Sequence, residues 1–220
     1  MKPVDFVLEH QDQLEENQSV QLICASDVGN PAGNIKIWKV PERTNISEIV
    51  FTSNLLNNKT KNCTTFLNLS TEYKVSRKDN GMKFLCSSQN NLTQEPGPGR
   101  YSKRISVLYK PGTPVIDLVP FKEMYFAGDD LKLECVSDGN PSPVYRWAFL
   151  SINKREDDIK YPISNRSSLM MNNLQTNNSG IYSCFASNTF NGKGFRVWSF
   201  VFILVRNQTI KGKLRLHLMH

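Results

Sequence analysis

The segment Asn178-Ser179-Gly180-Ile181-Tyr182-Ser183-Cys184 leaves a chain few folds to choose from. In a two-sheet β sandwich, the strand carrying the second of two cysteines enters after a tight corner. Gly180 permits such a turn, and Tyr182 stands two residues before the cysteine, the spacing at which a corner tyrosine reaches back to the backbone. Upstream, Cys135 precedes Cys184 by 49 residues, and Trp147 follows Cys135 by 12.

The same landmarks occur once more, earlier in the chain. Cys24 precedes Cys86 by 62 residues, and Trp38 follows Cys24 by 14. Val20, Leu22 and Cys24 stand at alternate positions on one side, as do Leu131, Leu133 and Cys135, which is the period of a half-buried strand. A Gly-Asn-Pro turn recurs before each tryptophan, at Gly29-Asn30-Pro31 and Gly139-Asn140-Pro141. The repeat measures 111 residues between first cysteines and 109 between tryptophans, so the chain reads as all-β, with two tandem sandwiches. The expected boundaries are a first domain over residues 1–110, a short proline-bearing linker at 111–114, a second domain over 115–205 and a basic tail over 206–220. The first half departs from the second in two ways. Phe84 stands where the corner tyrosine would be, which removes the hydroxyl and leaves only packing, and Asp79 to Cys86 is one residue longer than the usual spacing.

Cysteine, tryptophan, tyrosine and cysteine in this order resemble the immunoglobulin superfamily, and the second half resembles its I-set branch. The longer corner of the first half is similar to the constant-like second domains of nectins and nephrin-type adhesion proteins. The resemblance implies bridges Cys24–Cys86 and Cys135–Cys184, each closing a loop worth about 4 kcal/mol of chain entropy. It implies a core built on Trp38, Phe84, Trp147 and Tyr182. It also implies a piece of a cell-surface adhesion or recognition protein of the nectin, nephrin or hemicentin kind, which binds another immunoglobulin-like ectodomain reversibly, homophilically or heterophilically. A secreted immune-recognition protein, or the ectodomain of a receptor whose enzyme lies outside this chain, is the alternative.

The formal charge of +7 is concentrated in the tail, where residues 206–220 carry four basic and no acidic side chains. No basic face interleaved with aromatics appears, so no nucleic-acid partner is expected. The first residues have no sustained apolar run, so no secretory leader is read there. The longest apolar run, Val197 to Val205, is too short for a membrane helix, which needs about 20 residues. A membrane anchor is therefore expected only in segments outside this chain. Nine Asn-x-Ser/Thr sequons, at Asn17, Asn45, Asn58, Asn62, Asn68, Asn91, Asn165, Asn177 and Asn207, exceed the roughly three that chance would give. Together with the cysteines they point to an extracellular or cell-surface location.

No site for chemistry is expected. The histidines, His10, His217 and His220, lie at the two ends, away from every candidate nucleophile and from metal-ligand spacing with any cysteine. No cofactor, metal or enzyme activity is read. The acids Glu156-Asp157-Asp158 read as a solvated turn. Cys63 is left over, either as a free thiol or as an intermolecular link.

Binding by surface remains. The end loops Gln89–Gly99 and Thr189–Gly194 are candidates, as is the last strand of the second domain. With Val201, Ile203 and Val205 facing inward, Trp198, Phe200, Phe202 and Leu204 face outward. Two accounts are open for that stripe. It packs on the tail or on a further domain, or is not native in frame, which is the simpler account; otherwise it is a partner-binding face.

Overall fold

The computed structural model describes residues 3–9, 13–41, 48–53, 59–61, 64–152 and 159–207. The chain divides into two compact units, Met1–Tyr109 and Lys110–His220.

In the first unit, β1 (Pro3–Glu9), β3 (Ser19–Asp27), β7 (Thr64–Lys74) and β6 (Lys59–Lys61) form one sheet in that order. The second sheet runs β5 (Glu48–Thr52), β4 (Asn34–Val40), β8 (Lys83–Gln89) and β9 (Gly99–Tyr101). A short parallel pair, β2 (Gln13–Glu15) with β10 (Ser106–Leu108), closes one edge. Tyr101–Tyr109 is not one strand: residues 102–105 separate β9 from β10, with the Ser102 N–H still donating to Phe84 O and its hydroxyl donating to Lys103 O. The broken strand thereby leaves β8 and reaches β2.

The second unit repeats the plan. One sheet is β11 (Val115–Val119), β13 (Leu131–Val136) and β16 (Ser168–Met171). The other is β15 (Lys160–Ser164), β14 (Val144–Ser151), β17 (Gly180–Phe190) and β18 (Lys193–Ile203). The parallel pair here is β12 (Tyr125–Phe126) with β19 (Val205–Arg206). Gly112, in the segment read as linker, is bonded to this unit: its N–H donates to Asp138 O, and its carbonyl accepts from Ser137 Oγ at 2.7 Å.

Both bridges are formed, Cys24–Cys86 and Cys135–Cys184. Each joins the two sheets of its own unit, and every cysteine in them is buried in that unit's hydrophobic core. The alternation seen in the sequence is real: Val20, Leu22, Leu131 and Leu133 are buried, as are Ile105 and Val107. The Gly-Asn-Pro turns are held alike in both units, by Asn90 Nδ2 donating to Pro31 O at 3.0 Å and Asn188 Nδ2 to Pro141 O at 2.9 Å.

The indoles are not alike. Trp147 lies directly opposite Cys184 across β14 and β17, so both side chains point into the core, where Trp147 is fully buried and donates its Nε1–H to Arg166 O. In the first unit the residue opposite Cys86 is Ile37, while Trp38 is opposite Leu85. One residue of register turns a side chain to the other face of a sheet. Trp38 is therefore buried, at 6% exposure, but on the outer face of its sheet. There it is bonded to Ser87 Oγ at 2.8 Å and lies under the Lys36 ammonium at 5.7 Å. Trp38 is thus buried as expected, but the residue that registers with the first bridge is Ile37.

The corners differ as well. Tyr182 donates its hydroxyl to Asn178 O at 2.9 Å, the bond that its spacing predicts, and burial pushes the phenol up to about 12. Gly180 serves close approach rather than a left-handed turn, since a Cβ there would lie 2.2 Å from Leu150 O. In the first unit the extra residue makes a turn at Asn80-Gly81, where Gly81 has φ of 78°. Phe84 packs edge-on to Tyr73, with ring centroids 5.3 Å apart. The lost hydroxyl bond is replaced by the buried carboxylate of Asp79. Its Oδ2 accepts from Ser76 N at 2.8 Å, Ser76 Oγ at 2.9 Å and Tyr73 OH at 3.0 Å, and its Oδ1 faces Lys39 Nζ at 3.3 Å. Burial opposes the Lys39 charge, but the Asp79 carboxylate and the bonds to Glu48 and Tyr73 outweigh it and hold the ammonium above its ordinary pKa. Burial and then the Asp79 charge push the Tyr73 phenol up.

Candidate functional site

A continuous apolar surface lies on the outer side of β14, β17 and β18. Two features hold that surface flat and long. The first is the turn Asn191-Gly192, whose two residues have φ of 48° and 72° and join Phe190 to Lys193 directly. Positive φ at both central residues is the mirror-image turn whose twist matches paired strands, and Asn-Gly is its strongest sequence signal. Phe190 and Phe195 stack beside it at 4.6 Å. Thr189–Gly194, read as an end loop, is thus a tight hairpin with strands on both sides. The Asn-Gly pair was the signal that identifies it. The second feature is length: β17 and β18 pair over eleven successive positions, from Gly180↔Ile203 to Phe190↔Lys193.

Strand alternation then fixes which residues face solvent. Tyr182, Cys184, Ala186 and Ile203 are buried, which turns Ile181, Ser183 and Phe185 of β17, and Arg196, Trp198, Phe200 and Phe202 of β18, to the outside. Trp198 is 55% exposed, Phe200 58% and Phe202 50%. The rings continue across the sheet: Phe200 lies 6.0 Å from Trp198, Trp198 6.3 Å from Phe185, and Phe185 meets Tyr161 of β15 edge-on at 5.5 Å. The Arg196 guanidinium sits 6.0 Å over the Phe185 ring. Between these rings and Ile159, Leu150 and Ile181 lies a shallow depression of about 250 Å³. With strands about 4.8 Å apart and about 3.4 Å per residue, the face from Arg196 to Phe202 covers roughly 300 Å².

The remaining expected residues lie elsewhere. The loop Gln89–Gly99 is organised by Asn90, whose backbone N–H donates to Thr93 Oγ1 and whose Oδ1 accepts from the Leu92 N–H. Asn91 and Leu92 project from it. Asn17, Asn68, Asn91, Asn165, Asn177 and Asn207 are all exposed. Asn68 stands in the middle of β7, on the outer face of the first unit's other sheet. None of the six lies on β14, β17 or β18. Asn45, Asn58, Asn62, Cys63, the acids 156–158 and the tail from 208 lie outside the described residues. Among the described residues, no helix is long and apolar enough to cross a membrane.

Two disulfide-stapled sandwiches in tandem, the first of two four-stranded sheets and the second of a four-stranded and a three-stranded sheet, define an immunoglobulin-like architecture. The model of the CD80-like C2-set immunoglobulin domain matches residues 6–96, and that of the immunoglobulin domain matches residues 113–188. The chain belongs to the immunoglobulin superfamily. It is 34% identical over 180 residues to cell adhesion molecule 3 of Xenopus laevis, covering 80% of this chain and 41% of that protein. It is 26% identical over 180 residues to human cell adhesion molecule 1, covering 80% of this chain and 37% of that protein. The chain therefore spans about two fifths of the length of these relatives. Among solved structures, the full ectodomain of mouse nectin-like molecule 4 superposes with a TM-score of 0.56 at 20% identity, over 94% of this chain and 65% of that one.

Proposed function

We propose that the chain is part of an extracellular adhesion or recognition protein, and that it binds a second immunoglobulin-like ectodomain through the outer face of β14, β17 and β18. The observation that carries this reading is the ladder of half-exposed rings, Trp198, Phe200 and Phe202, on strands that pair without interruption. Large rings on a rigid sheet lose little conformational entropy on contact, which is why such residues anchor protein interfaces. Relatives named as cell adhesion molecules support the same reading. So does the distribution of sequons, which would coat the flanks and leave this face bare. About 300 Å² is less than half of what each partner contributes to a standard interface, so one contact is weak and adhesion rests on many acting together.

A glycan placed on the face tests the proposal. The pair Phe200→Asn and Phe202→Thr creates a sequon there; Lys132→Asn with Glu134→Thr creates one on β13, on the opposite sheet of the same domain. Secreted chains with unaltered melting, coated on beads and applied to cells that bind the wild-type beads, should lose binding with the first glycan and keep it with the second. Binding that survives the first glycan contradicts the proposal.

A further inference from the structure

Among the described residues, the carboxylates of the second domain are confined to one side; Glu156, Asp157 and Asp158, in the segment between β14 and β15, lie outside the described residues. Its described acids, Asp117, Glu123, Asp129, Asp130, Glu134 and Asp138, all lie on β11, β13 or the adjoining loops. The sheet of β15, β14, β17 and β18 carries Arg146, Lys160, Lys193 and Arg196 and no carboxylate. Two of these cations belong to the apolar face. Arg146 is exposed and registers opposite Phe185, and Arg196 lies over the same ring from the other side. Neither makes an ion pair among the described residues, whereas Lys122 and Lys132 on the far side are paired with Asp129 and Glu134. Asp129 is held below the usual carboxylate range by the Phe126 N–H and by Lys122.

We infer that this face selects a partner surface that sets carboxylates among apolar side chains, and that it does not pair with its own copy. The inference rests on the proposed binding role of the face. Two copies meeting face to face would bring four guanidiniums into one water-poor contact with no described acid between them, and like charges so placed oppose the contact. A carboxylate opposite Phe185 would instead meet two fork-shaped donors, one already held over a ring. The aromatic rings supply contact area, and the two arginines supply the choice of partner.

The probe is the chain itself with its face charge inverted, Arg146→Glu with Arg196→Glu, which offers the same rings surrounded by carboxylates. Beads of one colour carry the wild type and beads of another carry this variant. The expected result is that mixed beads co-aggregate at least about tenfold more than either kind alone. Raising sodium chloride from 50 mM to 500 mM should abolish most of that excess, and Arg146→Lys with Arg196→Lys should retain part of it. Wild-type beads that aggregate alone as strongly as the mixture overturn the inference, as does a mixture that stays dispersed. A third arm separates this from the underlying reading. If Trp198→Ala with Phe200→Ala on both kinds of bead leaves co-aggregation unchanged, the aromatic face itself is not the contact and both statements fall. If these substitutions abolish cell binding while the charge inversion leaves it unchanged, the binding role stands and the charge selection is overturned.

Discussion

The two sandwiches solve one corner with different chemistry. In the second domain a neutral phenol, Tyr182, closes the corner by a single bond to Asn178 O. In the first, Phe84 has no hydroxyl, and the buried carboxylate of Asp79 gathers Ser76, Tyr73 and Lys39 around itself. A single hydrogen bond to a backbone carbonyl is worth about 1 kcal/mol and can be lost gently. A buried charge is worth little while paired and is expensive to orphan. The outer faces of the equivalent sheets differ in the same spirit. The first carries both signs, with Lys36 paired to Glu95 of the adjoining loop and Lys39 to Glu48, and the strands of the second carry rings and cations but no carboxylate.

Removing Asp79 should show the difference most strongly. Asp79→Ala leaves the Lys39 ammonium without its buried partner and should destabilise the first domain by about 3–5 kcal/mol. Hydrogen exchange read peptide by peptide would report this in the first domain alone. Exchange rates left unchanged there would mean that the cluster is not a structural support. The indoles give the second contrast. Trp147→Ala should cost about 3–5 kcal/mol, and Ile37→Ala should cost about 2–5, because these are the residues opposite the bridges. Trp38→Ala should cost less than Trp147→Ala, and equal losses would contradict the energetic difference drawn from the two registers.

Alkali sharpens the corner comparison. The folded state holds the Tyr182 proton to about 12 against an ordinary value of 10.0, so its contribution is complete below pH 10 and disappears as pH rises toward 12. The loss is on the order of 2 kcal/mol, and Tyr182→Phe should remove that slope from the unfolding of the second domain. Lys39 and Tyr73 act in the same direction in the first domain, since both are raised and both lose their stabilisation as pH climbs above their unfolded values. At neutral pH, Tyr182→Phe should cost only about 1 kcal/mol, the smallest of these effects.

Much of this was legible in the sequence because it depends on period and spacing. The cysteine strands, the corner tyrosine and the outward stripe of β18 all follow from alternation, which one strand states by itself. What was hidden depends on partners far away in the chain. Trp38 lies in the run Ile35-Lys36-Ile37-Trp38, where two adjacent apolar residues satisfy either face, and only the register against Cys86 decides between them. Lys39, Tyr73 and Asp79 come from three elements, and no local pattern joins them. The hairpin at Asn191-Gly192 was legible and was read too coarsely, as a loop. The sorting of charge between the sheets needed the strand order, since Arg146 and Arg196 are 50 residues apart in the chain.

The proposed contact with a partner lies on the second domain's ring-bearing sheet and not on the matching sheet of the first. Tyr101, on β9 opposite Leu85, is 58% exposed on that matching face and is the natural control for Trp198. Trp198→Ala and Tyr101→Ala, each confirmed to fold, should be compared for binding of the full chain to cells that capture the wild type. A loss of about tenfold or more for Trp198→Ala, with Tyr101→Ala unchanged, is the predicted result. Unchanged binding for Trp198→Ala together with a loss for Tyr101→Ala would contradict it.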